Sequence, residues 1–407
     1  MSRTLWTRNF TIITLGTVIS AIGGVAMSFA LSFVVFDNTG STLLMGVFSA
    51  VSLLPHTLIP VLAAPYLDNF RRKPVIVGLD YFTGVAFLVM GVYLLSHSFQ
   101  MEVYLAFSLL VNTAGAVYQL AYSSLYPNLI PKGFAQKGYT VSGMLYPTVI
   151  MVMTPVASVL YTSFGLPVIC LGEGALLILA ATVETQIRVE ETVARGGRFS
   201  FRDYLQDFQE GFQYLRREKG LLRVYTYMPL SNGLSSGTSN LVTAYFRSTP
   251  ELDMTMYAFF TTVEFIGRTL GGLVHYRVTI PPKKRFSLAY LVYQTYSAMD
   301  ALLLWTPYPI MLANRALCGF LGINSATLRE SSVQSYLPDN MRAKVNAVFN
   351  ALMSLSSLVF SLGVGALGEV MDYRWAMTLL NLILIAICWL VVWRGREDVK
   401  AIYNQAV

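Results

Sequence analysis

The chain has 407 residues, of which 55% are hydrophobic and only 13% charged, with a formal charge of +7. Soluble proteins carry about a quarter of their residues as Asp, Glu, Lys and Arg. A soluble enzyme, a nucleic-acid binder and a secreted disulfide scaffold are therefore excluded as the main reading, and a polytopic helical membrane protein is expected.

The first apolar run, Thr11 to Phe36, follows Arg3 and Arg8. It is too long for a signal-peptide core and ends without a small-residue cleavage site, so it is read as a retained first span. In chain order the hydropathy predicts spans over 9–36, 42–67, 74–96, 102–130, 138–163 and 166–187. After a polar stretch come 221–246, 255–279, 286–305, 309–329, 343–368 and 374–393. Twelve crossings of about 20 residues use about 240 residues, which leaves short loops and one longer connection. Cys170, Cys318 and Cys388 all lie in apolar segments, so no disulfide framework is expected.

Lys and Arg set the orientation, because cytoplasmic loops carry the excess of both. The even connections are basic: Arg71, Arg72 and Lys73; Lys132 and Lys137; Arg188 to Lys219; Lys283, Lys284 and Arg285; Arg342 and Lys344. The odd ones hold only Arg247 and Arg374. Both termini are thus expected in the cytoplasm. The predicted organisation is a six-helix bundle over 1–187, a linker over 188–220, a second bundle over 221–393 and a cytoplasmic tail over 394–407. Within the linker, Phe201, Leu205, Phe208, Phe212 and Leu215 share one stripe, which predicts an amphipathic helix on the cytoplasmic surface. The halves also align at an offset of 207, with Pro131 on Pro338 and Lys137 on Lys344. A parallel duplication of six-helix units is the build of a rocker-type transporter.

The loop between spans 2 and 3 reads APYLDNFRRKPVIVGLD and supplies Asp68, Arg72 and Lys73, with Asp80 in the next helix. It resembles the Gly-x-x-x-Asp-Arg-x-Gly-Arg-Arg signature of the major facilitator superfamily, with Ala64, Asn69 and Arg71 departing from it. The version is similar to the loose ones of the branch holding macrolide and siderophore exporters. The resemblance implies two pseudo-symmetric six-helix bundles and a cytoplasmic gate at these four residues. It also implies a central cavity lined by helices 1, 2, 4, 5, 7, 8, 10 and 11, with 3, 6, 9 and 12 behind. On span 5, Pro155 stands where the family's drug antiporters carry a Gly-Pro pair, but Thr154 replaces the glycine.

Ionisable residues at membrane depth are costly and point to function. Glu264 and Arg268 on span 8 are four residues apart, on one helix face. Asp300 on span 9 and Arg315 on span 10 flank a short hairpin and can pair. Two readings stay open: two inert ion pairs, or a Glu264 that gains and loses a proton while Arg268 or Arg315 meets substrate. His56, between Pro55 and Pro60, and Asp300 are further proton-coupling candidates. Asn112 and Gln119 on span 4 differ by about 700°, nearly two full turns, so they share a face beside Tyr118, Tyr122 and Tyr126. With Asn232, Asn240 and Asn350 they are substrate-cavity candidates, whereas Glu173 has no assigned role.

No metal cluster, Walker loop, nucleophile elbow or dinucleotide fingerprint appears, so neither enzyme chemistry, metal nor cofactor is expected. The expected function is a monomeric, proton-coupled exporter of amphiphilic small molecules, multi-pass in a bacterial plasma membrane. The alternatives are an uptake symporter for an anionic or polar nutrient and a lysolipid translocase.

Overall fold

The computed structural model describes residues 4–67, 71–131, 134–189, 201–277 and 280–404, among which no strand occurs. The chain divides into two compact units, Met1–Gly40 with Val51–Arg198, and Ser41–Ala50 with Phe199–Val407.

The first unit is built from α1 (Arg8–Thr39), most of α2 (Thr42–Leu67), α3 (Arg72–Ser96), α4 (Met101–Leu129) and α5 (Ala135–Glu184). α1 ends where Gly40 takes the left-handed conformation, φ 64°, and returns its N–H to the Phe36 carbonyl oxygen. α5 is two crossings joined at Gly165, whose φ of 73° and ψ of 179° reverse the chain. Only glycine occupies that backbone region without strain. α5 packs along both α1 and α3.

The second unit holds α6 (Phe201–Arg217), α7 (Lys219–Ser248), α8 (Met254–Arg277), α9 (Pro282–Leu302), α10 (Tyr308–Tyr336), α11 (Asp339–Val370), α12 (Tyr373–Cys388) and α13 (Arg396–Tyr403). Its core gathers Leu221, Val224 and Tyr227 of α7 with Val345 and Val348 of α11 and Phe286 of α9. The first residues of α2 belong here because Glu369, at the end of α11, accepts from the Leu43 N–H at 2.9 Å and the Ser41 hydroxyl at 2.7 Å. A carboxylate at a helix N-terminus meets both the unpaired N–H groups and the positive end of the dipole.

Seven helices among the described residues are long and apolar enough to cross a membrane by length and composition. α5 is one of them and spans twice. α7 to α10 fall short because of polar residues such as Asn232, Arg268, Asp300 and Arg315. All four contribute wall residues to the polar cavity of this unit, and counting them, with α5 twice, gives twelve crossings.

The amphipathic helix expected in the linker is α6. Leu215 and Phe208 enter the core of the second unit, while Leu205 and Phe212 stay exposed. α6 sits directly on the start of α11: a Cβ on Gly211 would stand 2.6 Å from the Lys344 carbonyl oxygen. The Lys344 ammonium reaches Asp207 at 2.7 Å and Glu210 at 2.5 Å. Hydrogen bonding to Lys344 holds the Glu210 carboxyl below the usual carboxylate range. A lowered carboxyl contributes its docking energy above its free value and loses it as pH falls through the lowered one. Protease cleavage around α6 is therefore expected to rise below about pH 4, and Lys344→Gln to produce the same cleavage at neutral pH.

The stretch read as a tail also folds. α13 drives Tyr403 into the core, its hydroxyl 2.7 Å from that of Tyr293, and Arg223 pairs with Asp398 at 3.2 Å.

Candidate functional site

α8 and α10 approach closely because glycines face backbone across the contact. A Cβ on Gly267 would overlap the Ala316 carbonyl oxygen, one on Gly319 would overlap the Glu264 carbonyl oxygen, and one on Gly271 would lie 2.5 Å from the Phe320 carbonyl oxygen. Small residues at four-residue spacing permit this approach in membrane helices. It places the Glu264 turn of α8 against the Arg315 turn of α10, and the short α9–α10 hairpin adds Asp300 from the other side.

The result is a single charge network. Arg268 donates to Glu264 Oε1 from Nε at 3.2 Å and from Nη2 at 2.7 Å. Arg315 lies 3.9 Å from Glu264 Oε2 and donates to Asp300 Oδ1. Its Nη2 also donates to the Asn314 side chain at 3.0 Å, and its guanidinium lies 5.5 Å over the Phe260 ring. The two pairs readable in the sequence are thus one chain, Asp300–Arg315–Glu264–Arg268, with two charges of each sign. Its ends differ in exposure. The Arg315 and Asp300 side chains are 8% and 9% exposed, against 49% for Arg268. The inner pair is buried, and the outer arginine is half-exposed.

Arg268 and Asp300 line a cavity of about 270 Å³ inside the second unit. Tyr227, Tyr293, Tyr296, Asn232 and Arg329 also contribute to its wall. The size suits a small ligand or part of a larger one, and tyrosine with amide and guanidinium groups gives the mixed lining of a small-molecule site. Two features were not expected. α9 and α12, which the family resemblance places behind a cavity, supply wall residues here, Tyr296 and Asn381 among them. Arg329 was missed because the predicted span 10 stops at 329, whereas α10 runs on to Tyr336 and keeps Arg329 inside the helix. Its Nη1 rests 2.9 Å from the Met228 sulfur.

The other candidates are dispersed. Asn232 reaches the cavity and donates to Ser357 at 2.8 Å. Asn240 is 3.4 Å from the Ser49 hydroxyl, and Asn350 is exposed. In the first unit, exposed His56 faces Asn112 across 3.3 Å, Gln119 is exposed, and the Tyr122 hydroxyl lies 3.1 Å from that of Thr17. Of the four loop residues, Asp68 lies outside the described residues. Arg72 begins α3, the Lys73 ammonium donates to the Thr185 carbonyl oxygen at 2.8 Å, and Asp80 is buried.

No protein-family model matches the chain. Macrolide efflux protein A of Streptococcus pyogenes is 24% identical over 282 residues, covering 66% of this chain and 66% of the relative, just under two thirds of its length. Among solved structures, a mutant of the nucleoside transporter NupG superposes with a TM-score of 0.70 at 12% identity, over 96% of this chain and 98% of its own. The D-xylose-proton symporter gives 0.66 at 13% identity, over 96% and 98%. A POT family transporter gives 0.70 at 9% identity, over 96% of each chain. The chain has the major facilitator fold, and it is a multi-pass helical membrane protein.

Proposed function

We propose that this protein is a secondary active transporter that exports amphiphilic small molecules in exchange for protons by alternating access. It would act as a monomer in a bacterial plasma membrane with both termini in the cytoplasm. The observation that carries this reading is the graded charge network: a fixed Asp300–Arg315 pair, a bridging Glu264 and a half-exposed Arg268 at the cavity wall. A ligand that takes hydrogen bonds from Arg268 draws it off Glu264. Glu264 then faces only Arg315, which is already engaged by Asp300. A carboxylate that loses its partner in an apolar site is stabilised by taking up a proton. Ligand and proton thereby compete around one side chain, the requirement for exchange. The likeness to a macrolide efflux protein supports the direction and the ligand class.

A second reading, uptake of a small organic anion, is favoured by one observation: Arg268 and Arg329 line the same cavity. Purified protein in vesicles separates the two. Movement of a lipophilic cation dye, accelerated by an imposed pH gradient, is the expected result. Movement of an organic anion with no response to the cation would replace export by anion uptake.

A further inference from the structure

Among the described residues the first unit holds three buried carboxyl groups that the network above does not use. Glu184 is fully buried, Glu173 is 5% exposed and Asp80 is 6% exposed. Among the described residues none of them enters an ion pair. Both oxygens of Glu184, Oε2 of Glu173 and Oδ2 of Asp80 have no hydrogen-bond partner. The fold makes room for two of them at α1. A Cβ on Gly16 would overlap the Glu184 carboxyl, and one on Gly23 would overlap that of Glu173. Glycines seven residues apart on α1 thus face acids eleven apart on α5. The seven-residue spacing on α1 puts the two carboxyls about 10 Å apart along that helix.

Among the described residues no ion pair gives them a countercharge. Asp80 of α3 lies within electrostatic reach of both glutamates, and Tyr118 and Tyr122 of α4 lie within reach of Glu184. Around Glu173 stand Cys170 and Tyr146, both on α5. α1 presents no titratable group at Gly16 or Gly23. Of the bases at this end of the unit, Lys73 donates its ammonium to the Thr185 carbonyl oxygen at 2.8 Å. An ionised carboxylate buried without a partner costs several kcal/mol or more, so the group neutralises instead.

We propose that Asp80, Glu184 and Glu173 form a proton-binding site inside the first unit, holding protons at neutral pH and exchanging them during the transport cycle. The ligand is the proton itself, and each carboxyl that takes one becomes an O–H donor. Glu184 is the most enclosed member, and the like charge of Asp80 beside it disfavours ionising both. The exchange during the cycle rests on the proton-coupled reading given above, whereas the protonated state does not. Two measurements keep them apart.

Infrared spectra of the purified protein at neutral pH should show the C=O stretch of protonated carboxylic acid. Part of that band should vanish in each of Glu184→Gln, Glu173→Gln and Asp80→Asn. Glutamine and asparagine keep the shape and neutrality of the protonated acid, so folding is expected to survive. A hydrophobic carbodiimide, which adds to protonated carboxyls in apolar surroundings, provides the test on the unaltered chain. Mass spectrometry should find the adduct on Glu184 or Glu173. Unchanged bands in all three variants, or no adduct on any of the three residues, would overturn the site. With the band and adduct present, loss of the pH-gradient response in Glu184→Gln or Glu173→Gln supports the exchange. A wild type that moves no dye would count against the transporter reading and leave the protonated site standing.

Discussion

Arg315→Met is expected to be the most damaging single change in the second unit, lowering stability by about 3–5 kcal/mol. It removes the guanidinium that donates to Asp300, whose side chain is 9% exposed, and strands a buried carboxylate. It also removes the cation that lies over the Phe260 and Tyr296 rings. The double variant Arg315→Met, Asp300→Leu takes away both charges and should recover most of the loss, because a buried pair replaced whole by apolar groups is often neutral. Thermal unfolding in detergent measures both. If the double variant folds and still moves dye, the inner pair is scaffolding and Glu264 with Arg268 suffices. A single variant as stable as the wild type would contradict the burial argument.

Gly319→Val is the second large effect. Its Cβ would overlap the Glu264 carbonyl oxygen, and backbone has nowhere to retreat without separating α8 from α10. Overpacking of this kind costs about 1–3 kcal/mol. The functional loss should exceed what that figure suggests, since parting the helices lengthens the 3.9 Å contact between Arg315 and Glu264 and unlinks the network. Gly363→Ala is the control. Nothing lies within 4 Å of its Cβ, so the change should be neutral or stabilise α11 by up to about 1 kcal/mol. Similar behaviour of the two variants in a thermal melt and in a dye assay would show that the glycine contact does not set the site.

Hydropathy was enough to read the spans, because in a bilayer the solvent itself dictates helix length. The proximity of Asp300 and Arg315 was also legible, since a short hairpin forces neighbours in sequence to be neighbours in space. The bond between the two pairs was not. It depends on Gly267 and Gly319 meeting backbone across the helix contact, and a glycine in a sequence does not announce what it faces. Arg329 escaped for a simpler reason. Polar residues at its end of α10 lower the hydropathy, so the predicted span stopped where the helix did not. Glu173 and Glu184 illustrate the same limit in the first unit. Their meaning comes from Gly23 and Gly16 on a helix far away in sequence, and only packing brings them together.

The loop after α2 shows how a resemblance and a structure divide the labour. The signature identified the fold, which the solved transporters share. It grouped Asp80 with the gate residues, and the Asp80 side chain is buried within electrostatic reach of Glu184.

The central claim is that a proton and a ligand compete around Glu264. Its most direct test compares wild type with Glu264→Gln in vesicles carrying an imposed pH gradient, following a lipophilic cation dye. Glutamine keeps an oxygen for Arg268 but cannot cycle a proton. Dye movement accelerated by the gradient in wild type and indifferent to it in Glu264→Gln is the expected result. Equal acceleration in both proteins would contradict it.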